Sequence, residues 1–463
     1  MGIEEYLTEI KNQIRDKKAR EFASDELKAH IEDRAEGLQK KGMDHDSAVL
    51  QAVKEMGDPV SVGVDLDRIH RPRLEWKFLL YVIYISILSV GVLGVLFAAM
   101  PRESVIGKQF AEGLLLKHTI GVLFGLVMMI IVYRLDYTIL AGKSRLIAAV
   151  LLISLAVLVF IFGVSINGAK RYICILGIAF QTHALYLLYL PMFAGILYDY
   201  RNKGAGALFK IFLWMIAPAF LQSLYDAGWM PFVIFMLFSE SILFMIALNK
   251  NWYRVNKRKV FIGIGIGFIS LIGLFILYII NTADHQKARI QAWLSHWGLN
   301  FGSIDGNEFK YIEYNTTCLD NIFLRSNFIG KSDSAIETVQ LTPEASVDYI
   351  LASIAATCGK LTVAVIMISL IILAVYVFRI SVKQKNSLGS IVGCSCGIVI
   401  AVQAVSNILI VTGLFPLTGT TLPFFSLGIT NIIIDYILLG LVLSIYRYQD
   451  IRVEKEPVTT LLA

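Results

Sequence analysis

The chain carries little charge for its length. Of its 463 residues, 17% are charged and 56% are hydrophobic, whereas about a quarter of the residues in soluble domains are charged. The charge that is present crowds into the first 75 residues and into short clusters between long apolar runs. This distribution excludes an ordinary soluble enzyme and favours a protein that crosses a lipid bilayer. The net charge of +6 then concerns membrane orientation, and no nucleic-acid partner is expected.

Cysteine is also scarce, and the five cysteines lack the spacing of a metal site. Cys394 and Cys396 fall inside an apolar run, where a small polarisable hydrophobe is the expected role. Cys318 stands in a polar stretch without an obvious partner. Neither a disulfide framework nor a cysteine-bound metal is therefore predicted.

Residues 1–72 are predicted to form a small cytoplasmic helical domain. A first amphipathic helix begins near Ile3, Ser24 is the candidate N-cap of a second, and Asp44 is that of a third. Pro59 is expected to stop the third helix. This segment resembles the small prefix domains that precede permease-like proteins of Gram-positive bacteria, which implies a regulatory or interaction module.

After Arg73 the sequence becomes a series of apolar runs. A helix of about 20 apolar residues crosses a hydrocarbon core of about 30 Å, and ten runs approach or exceed that length. They predict an all-α polytopic membrane domain of about ten transmembrane helices over residues 75–450, followed by a cytoplasmic tail, 451–463. The runs fall near 78–100, 114–133, 146–166, 178–198, 207–222, 229–248, 259–281, 352–378, 388–414 and 426–446.

Lysine and arginine in the short connections predict the orientation. If the prefix domain is cytoplasmic, the connections on its side carry fourteen Lys and Arg residues, and the short connections on the opposite side carry five. Because positive residues accumulate on the cytoplasmic side, both termini are expected inside the cytoplasmic membrane. The long loop, residues 282–348, is then extracellular, and a loop of that length is usually functional or disordered.

Near the C-terminus, a run rich in glycine and proline carries a family resemblance. This signature segment, residues 407–428, reads NILIVTGLFPLTGTTLPFFSLG. It resembles the signature of the SEDS (FtsW/RodA/SpoVE) family, in which an Asn leads into Gly-x-x-Pro-x-Thr-Gly and then Leu-Pro-Phe-x-Ser. The matching residues are Asn407, Gly413, Pro416, Thr418, Gly419, Leu422, Pro423, Phe424, Ser426 and Gly428.

Three further segments resemble the same family and occur in the family's order. Residues 167–173 resemble the Asn-Gly-Ala-Arg-Arg-Trp-Ile segment before the fourth span. Residues 226–228 resemble the Pro-Asp-x-Gly turn after the fifth span, and residues 341–350 resemble the Leu-Pro-Glu-x-x-x-Asp-Phe-Ile segment that closes the long loop. Together the four landmarks identify the chain as a member of the SEDS family across residues 75–450.

At several polar positions the chain departs from the family pattern. The family's Gln-Pro-Ser-Glu is Gln-Thr-His-Ala at residues 181–184, and the acidic pair after the loop Asp is Ala356–Thr357. The Pro before Asp226 is Tyr225. These departures remove polar groups from the family's central cavity, so they bear on activity more than on the fold.

The resemblance implies a peptidoglycan glycosyltransferase that polymerises lipid II at the outer face of the cytoplasmic membrane, in cell division, shape or sporulation. Its partner would be a class B penicillin-binding protein, a transpeptidase. The 4-hydroxyl of one disaccharide attacks the anomeric carbon of another and expels a lipid pyrophosphate, which requires a base and nearby cations. Two alternatives stay open: a catalytically degenerate SEDS scaffold that binds lipid II or cell-wall partners, and a transporter of lipid-linked precursors.

The candidate catalytic base is Asp348, because partial desolvation where the long loop meets an apolar helix would make its carboxylate a better base; the alternative is a helix cap. Glu344 is a candidate substrate contact or an exposed loop residue. Lys170 and Arg171 are candidate pyrophosphate ligands, or they reach lipid headgroups. Asp226 shapes the cavity, binds a divalent cation such as Mg²⁺ or Mn²⁺, or stabilises a turn. No other cofactor is expected.

Prolines and a glycine predict a re-entrant loop within the signature segment. Pro416, Gly419 and Pro423 are expected in that loop, with Asn407 leading into it. Irregular backbone at membrane depth is tolerated only beside protein or a water-filled cavity, so the loop is expected to form a cavity wall. Ser426 would either donate a hydrogen bond to substrate or satisfy the broken backbone.

Four ionisable residues fall inside predicted spans, namely Glu240, Asp435, His183 and Lys360. Ionisable groups are costly in lipid, so these side chains are expected to face the bundle interior. Glu240 and Asp435 match no SEDS motif. They would belong to a buried polar network or, for the transporter alternative, to an ion pathway.

Overall fold

The computed structural model describes the chain except for residues 16, 70–72, 100–107, 167–168, 176–177, 226–229, 264, 266–283, 300–306, 343–348, 418–419 and 450–463. The described part is mostly helical, which confirms the predicted fold class of a polytopic membrane protein with a small helical part before it. Within it, eight helices are long and apolar enough to cross a membrane.

Four helices form the N-terminal part, one more than predicted: α1 (Ile3–Gln13), α2 (Lys17–Gln39), α3 (His45–Glu55) and α4 (Pro59–Ile69). Asp44 does precede α3 as its N-cap residue, but Ser24 lies inside α2, so the N-cap prediction for Ser24 was wrong. Pro59 begins α4, since proline costs least in the first turn of a helix. The backbone N–H of Ser61 donates to Asp58 Oδ2 at 2.9 Å and caps that turn.

The remaining elements follow in chain order. They are α5 (Trp76–Ala99), α6 (Lys108–Arg134), α7 (Ser144–Phe162), β1 (Gly163–Ile166), β2 (Ala169–Ile175), β3 (Ile178–Gln181), α8 (Thr182–Tyr186), α9 (Tyr189–Asp199), α10 (Ala205–Ser223), α11 (Met230–Asn249), α12 (Asp284–His296), α13 (Asn307–Arg325), α14 (Asp333–Gln340), α15 (Ile350–Cys358), α16 (Lys360–Val382), α17 (Ser387–Val411) and α18 (Ile429–Arg447). The eight candidate spans are α5, α6, α7, α10, α11, α16, α17 and α18.

A continuous spanning helix over residues 178–198 was predicted wrongly. This run forms strand β3, the single turn α8 and the half-length helix α9, and 11 residues of α-helix cover only about 17 Å. Strands β1, β2 and β3 form an antiparallel sheet in that order, in which Tyr172 pairs with Gln181. Apolar composition alone does not distinguish one spanning helix from a strand followed by a buried half-length helix, which is why the prediction failed here.

The predicted span over residues 352–378 is broken in two. Helix α15 ends at Cys358, and α16 starts at Lys360 and makes the crossing. Gly359 between them has φ +92°, and a Cβ on it would lie 2.8 Å from Ile329 Cα and from Phe328 O. Only glycine combines that backbone conformation with so close an approach. The run near 259–281 lies for the most part outside the described residues.

The interior of the membrane domain is built around α17 and α18, which are the most buried of the eight candidate spans. Helix α18 lies along α6, and α17 packs against α9, α11 and α16. Fully buried aromatic rings, including Tyr186, Tyr189, Phe193 and Tyr436, fill the space between these helices. The signature segment connects α17 to α18 and is therefore held by the most buried pair of helices.

Candidate functional site

Between α17 and α18, the signature segment folds into an irregular, largely buried connection. Asn407 lies on α17 rather than in the loop, and its Nδ2 donates to Thr420 O at 2.8 Å. Pro423 is buried and Pro416 is half-buried, while Gly419 lies outside the described residues. Asn407 thus ties the last turns of α17 to the part of the loop that returns toward α18, since its side chain bonds the backbone thirteen residues away.

Ser426 closes a tight turn within this segment. Its Oγ accepts the backbone N–H of Leu422 at 2.6 Å, and its own backbone N–H donates to Leu422 O at 3.1 Å. Ser426 is 3% exposed. Of the two predicted roles for Ser426, the one seen in the structure is the satisfaction of broken backbone.

At the centre of that turn stands Phe424, whose backbone is held by two spanning helices. Asp435 Oδ2 on α18 accepts the Phe424 N–H at 3.0 Å, and Ser89 Oγ on α5 donates to Phe424 O at 2.6 Å. Ser89 Oγ also lies 2.8 Å from His118 Nε2 on α6. The sequence marked Asp435 as an interior residue, which is confirmed, but it provided no signal for Ser89 or His118, polar residues within apolar runs.

Lys170 and Arg171 lie side by side on strand β2. The Lys170 N–H donates to Tyr225 O at 2.9 Å, and the half-buried Lys170 lines a cavity of about 390 Å³ that Ser165 and Tyr225 also line, between the ends of α7 and α10. Arg171 is exposed, and its carbonyl accepts Thr182 Oγ1 at 3.1 Å. Lys170 therefore stands at an amphipathic cavity, whereas Arg171 is not among the residues that line it.

The sheet is joined directly to the start of α18 through Gln181. The Gln181 N–H donates to Thr430 Oγ1 at 3.1 Å, and Gln181 Oε1 accepts Asn431 Nδ2. A Cβ on Gly428 would lie 2.8 Å from both Gln181 Oε1 and Asn431 Nδ2. Glycine at position 428 thus leaves room for this side-chain pair.

The long loop contains a helical subdomain, α12–α14, which we call the long-loop subdomain. Trp293 Nε1 and Trp297 Nε1 both donate to Gly413 O in the signature segment, at 3.1 Å and 3.3 Å. His296 Nδ1 lies 3.4 Å from Asp320 Oδ2. Burial raises the pKa of the Asp320 carboxyl, and the neighbouring His296 opposes that shift.

A backbone ladder fixes the subdomain to the break between α15 and α16. The N–H groups of Lys360 and Leu361 donate to Asn327 O and Phe328 O, both at 3.0 Å. Two further bonds run the other way, from Gly330 N to Cys358 O at 3.2 Å and from Ser332 N to Ala356 O at 2.8 Å. The subdomain is thus attached both at this break and at Gly413.

Three predicted site residues, Asp348, Glu344 and Asp226, lie outside the described residues, so their roles stay predictions. The flanks of the first two, Thr342 and Tyr349, are buried. Within the described part of the chain, no group of three or more His, Cys, Asp or Glu residues could hold a metal ion. The proposed cation at Asp226 falls outside that search.

The positions at which the family has acids are occupied here by buried, uncharged side chains. Ala184 and Ala356 are fully buried and Thr357 is 3% exposed. Glu240 on α11 is also fully buried, as predicted, and neither of its oxygens has a hydrogen-bond partner among the described residues. No residue at these substituted positions replaces the missing carboxylates.

Four segments that are far apart in sequence meet at one end of the bundle. Strand β2 meets Tyr225, strand β3 meets the start of α18, and α12 meets the end of α17. We call this the long-loop end of the bundle. It gathers the sheet, the signature segment and the long-loop subdomain, and the cavity at Lys170 lies between the sheet and the ends of α7 and α10.

Comparison with known proteins gives matches over the whole membrane domain. The sequence pattern of the FtsW/RodA/SpoVE family, described as "Cell cycle protein", matches residues 78–451. The chain is 25% identical over 387 residues to the probable peptidoglycan glycosyltransferase FtsW of Trichlorobacter lovleyi, covering 80% of this chain and 93% of the relative. It is 25% identical over 380 residues to the protein of the same name from Enterococcus hirae, covering 79% and 91%.

Solved structures match the same region. One, described as "Structural coordination of polymerization and crosslinking by a peptidoglycan synthase complex", has a TM-score of 0.62 at 20% identity, over 81% of this chain and 99% of that chain. The rod shape determining protein RodA of Thermus thermophilus has a TM-score of 0.54 at 18% identity, over 81% and 97%. These likenesses show a common fold.

Proposed function

Since the chain belongs to the FtsW/RodA/SpoVE family of cell cycle proteins, we propose that it is a peptidoglycan glycosyltransferase that polymerises lipid II at the outer face of the cytoplasmic membrane. The relatives that it matches are named as probable glycosyltransferases of this kind. A class B penicillin-binding protein is its proposed partner, and one of the matching structures concerns a peptidoglycan synthase complex.

The observation that carries this proposal is the meeting of the sequence landmarks at the long-loop end of the bundle. Gln181 is the first residue of the segment at which the chain departs from the family's Gln-Pro-Ser-Glu, and it bonds Thr430 and Asn431 just beyond the signature segment. Lys170 bonds the residue before Asp226. A polymerase whose two substrates are both membrane-anchored needs polar groups from distant segments at one level of the bilayer, beside an opening to lipid.

In the proposed reaction, one carboxylate accepts a proton and two cations stabilise the leaving group. Asp348 takes the proton from the attacking 4-hydroxyl as the new glycosidic C–O bond forms. The bond between the anomeric carbon and the pyrophosphate oxygen breaks, and the lipid pyrophosphate leaves with its electron pair. Lys170 and Arg171 stabilise the charge on that leaving group, since guanidinium and ammonium groups both bind phosphate oxygens. Glu344 and Asp226 contact the sugars or shape the cavity.

A second candidate function is a catalytically degenerate scaffold that binds lipid II or cell-wall partners. The observation that favours it is the burial of Ala184, Ala356 and Thr357 at positions where the family has polar or acidic groups. Uncharged side chains there supply no general acid or base. A scaffold would keep the fold and the partner and would lose turnover.

Polymerisation of labelled lipid II separates the two functions. Purified full-length protein, mixed with a cognate class B penicillin-binding protein, is expected to make glycan chains that Asp348→Ala abolishes. The matched control is Asp333→Ala, which removes an exposed aspartate from the same loop and is expected to leave the product unchanged. If the wild-type protein retains the transpeptidase on an affinity column but makes no glycan, the scaffold function replaces the polymerase.

A further inference from the structure

Phe424 adopts a left-handed backbone conformation that is unfavourable for a residue with a bulky side chain. Its φ is +65°, and the other non-glycine residues with positive φ in the described part of the chain are Asn202 and Asn251. Asparagine tolerates the left-handed region, whereas a bulky aromatic residue adopts it at a steric cost. The surrounding structure must therefore hold Phe424 in place.

Both backbone groups of Phe424 are held by side chains from spanning helices. Its N–H donates to Asp435 Oδ2 at 3.0 Å, and its carbonyl accepts Ser89 Oγ at 2.6 Å. The turn around it cannot supply these partners, because the Leu422–Ser426 bonds close the turn around Phe424 without using its N–H or its C=O. The two side chains thus determine the orientation of the two peptide units that flank Phe424.

Further hydrogen bonds hold Ser89 and the neighbouring Tyr436 in place. The single proton of Ser89 Oγ is used by Phe424 O, so His118 Nε2, at 2.8 Å, is the donor to Ser89. Ser86 Oγ donates to Val82 O at 2.8 Å, so the Tyr436 hydroxyl at 2.5 Å donates to Ser86.

The Tyr436 ring in turn meets the Phe424 ring edge to face, with centroids 5.3 Å apart. Helices α5, α6 and α18 therefore converge on one residue of the signature segment.

A buried carboxylate at position 435 costs free energy, so its presence calls for a structural reason. The Asp435 side chain is fully buried in a spanning helix, where a carboxylate is expensive. Its other oxygen, Oδ1, has no hydrogen-bond partner in the part of the chain that the structure describes. The described contacts thus give Asp435 one polar function, which is to accept the N–H of Phe424.

We propose that Asp435 is a positioning residue that holds Phe424 in its left-handed conformation and thereby fixes the Leu422–Ser426 turn of the signature segment. It acts as a hydrogen-bond acceptor and not as a carrier of protons or ions. The effect on catalysis rests on the proposed function, because the turn lies at the glycosyltransferase site. The effect on the turn itself does not, so the two are tested separately.

Amide hydrogen exchange tests the structural part in purified full-length protein. Asp435→Leu removes the acceptor and is expected to accelerate exchange in peptides covering residues 420–428 by about tenfold or more. Asp435→Asn retains a carbonyl oxygen and is expected to stay within about threefold of the wild type. Ser89→Ala frees the carbonyl of Phe424 and leaves its N–H bonded to Asp435, so it is expected to give an intermediate rate.

Two controls make the result specific. Glu240→Leu removes another fully buried carboxylate from a spanning helix and is expected to leave exchange at residues 420–428 unchanged. Phe424→Gly supplies a residue that adopts positive φ without strain. In that background Asp435→Leu is expected to have a smaller effect than in the wild type, as a non-additive pair.

Three outcomes would overturn the proposal. Equal acceleration of exchange in Asp435→Asn and Asp435→Leu would mean that the charge of Asp435 matters and its role as a hydrogen-bond acceptor does not. Unchanged exchange in Asp435→Leu would mean that the turn does not depend on Asp435. Equal acceleration by Glu240→Leu would indicate general loosening of the bundle.

Lipid II polymerisation tests the catalytic part. Asp435→Leu is expected to lower kcat about tenfold with little change in KM, and Asp435→Asn is expected to restore it. If the wild-type protein shows no polymerase activity while the exchange results hold, the proposed function fails and the positioning role stands. A loss of activity in Asp435→Asn as complete as in Asp435→Leu overturns the acceptor role.

Discussion

Gln181 Oε1 accepts a hydrogen bond from Asn431 Nδ2, 250 positions further along the chain. This bond joins the last residue of the sheet to the first turn of α18, immediately after the signature segment. Because both side chains occupy the space that a Cβ at position 428 would need, the contact leaves little freedom for substitution of Gly428. Gln181 begins the segment 181–184, at which the chain departs from the family pattern, so the bond links that segment to the helix that follows the signature segment.

Gly428→Ala is expected to lower the free energy of unfolding by about 1–3 kcal/mol, because its Cβ would collide with Gln181 and Asn431. Gln181→Ala alone is expected to cost a similar amount by leaving Asn431 unpaired. The double substitution should cost less than the sum, since removing Gln181 makes room for the new methyl group. Thermal unfolding in detergent measures all three. Gly91→Ala, with nothing within 4 Å of its Cβ, is the control; full additivity would contradict the collision.

Trp293 and Trp297 share the Gly413 carbonyl as an acceptor, so the prediction for them concerns redundancy. Trp293→Phe or Trp297→Phe alone is expected to change little, because one indole N–H still satisfies the carbonyl. The double substitution is expected to release the subdomain and to accelerate trypsin cleavage at Lys287 and Arg289. Trp76→Phe, on an exposed residue of α5, is the control. Cleavage that is unchanged in the double variant would mean that the indoles do not hold the subdomain.

Acid is expected to loosen the N-terminal helices. Hydrogen bonds from Lys28, Arg34 and the N–H of Ser61 lower the pKa values of Glu4, Glu55 and Asp58 respectively. A carboxylate with a lowered folded-state pKa stabilises the fold above its unfolded pKa, and this contribution is lost as the pH falls through the folded pKa.

Hydrogen exchange of residues 1–69 in the full chain, corrected for intrinsic rates, is therefore expected to accelerate below about pH 4. The triple variant Glu4→Gln, Glu55→Gln, Asp58→Asn should lose most of that pH dependence and be less protected at neutral pH. Exchange in the triple variant that follows the wild-type pH dependence would contradict the assignment.

Gly359→Ala is expected to be among the more destabilising glycine substitutions in the chain. It combines a positive φ with a backbone contact at 2.8 Å, and a strain of this kind costs on the order of 1–3 kcal/mol. The melting temperature of the purified protein measures it. Gly94→Ala in α5, whose Cβ would meet nothing within 4 Å, should be neutral or slightly stabilising. Equal melting temperatures for the two variants would contradict this account.

Apolar run length and the low charge within the runs predicted most of the membrane fold, since both reflect the same bilayer constraint. They failed at residues 178–198 and at Gly359 for different reasons. The first run is as long as a span, but its apolar composition does not distinguish one spanning helix from a strand followed by a half-length helix. The break at Gly359 is imposed by Phe328 and Ile329, which approach from another segment, and apolar composition gives no sign of that approach.

At the candidate site, family landmarks predicted which segments matter but not how each side chain is used. Ser426 could be interpreted as a substrate ligand or a backbone partner, and only the position of Leu422 distinguishes them. Asp435 stood out as an ionisable residue in a span, yet its partner depends on the φ angle of Phe424. Ser89 and His118 gave no signal, because single polar residues in apolar helices are common. The sequence around each of them does not indicate which distant residue it contacts in the fold.

The ladder between residues 327–332 and the start of α16 has an evolutionary consequence. Its four bonds join backbone N–H and C=O groups only, so no side chain of either segment is required to form them. Substitution can therefore change the charge and shape of the long-loop surface, while the two positive-φ glycines at the ladder, Gly330 (φ +77°) and Gly359 (φ +92°), must persist. The surface of the long-loop subdomain can therefore diversify without any change in how the subdomain is attached.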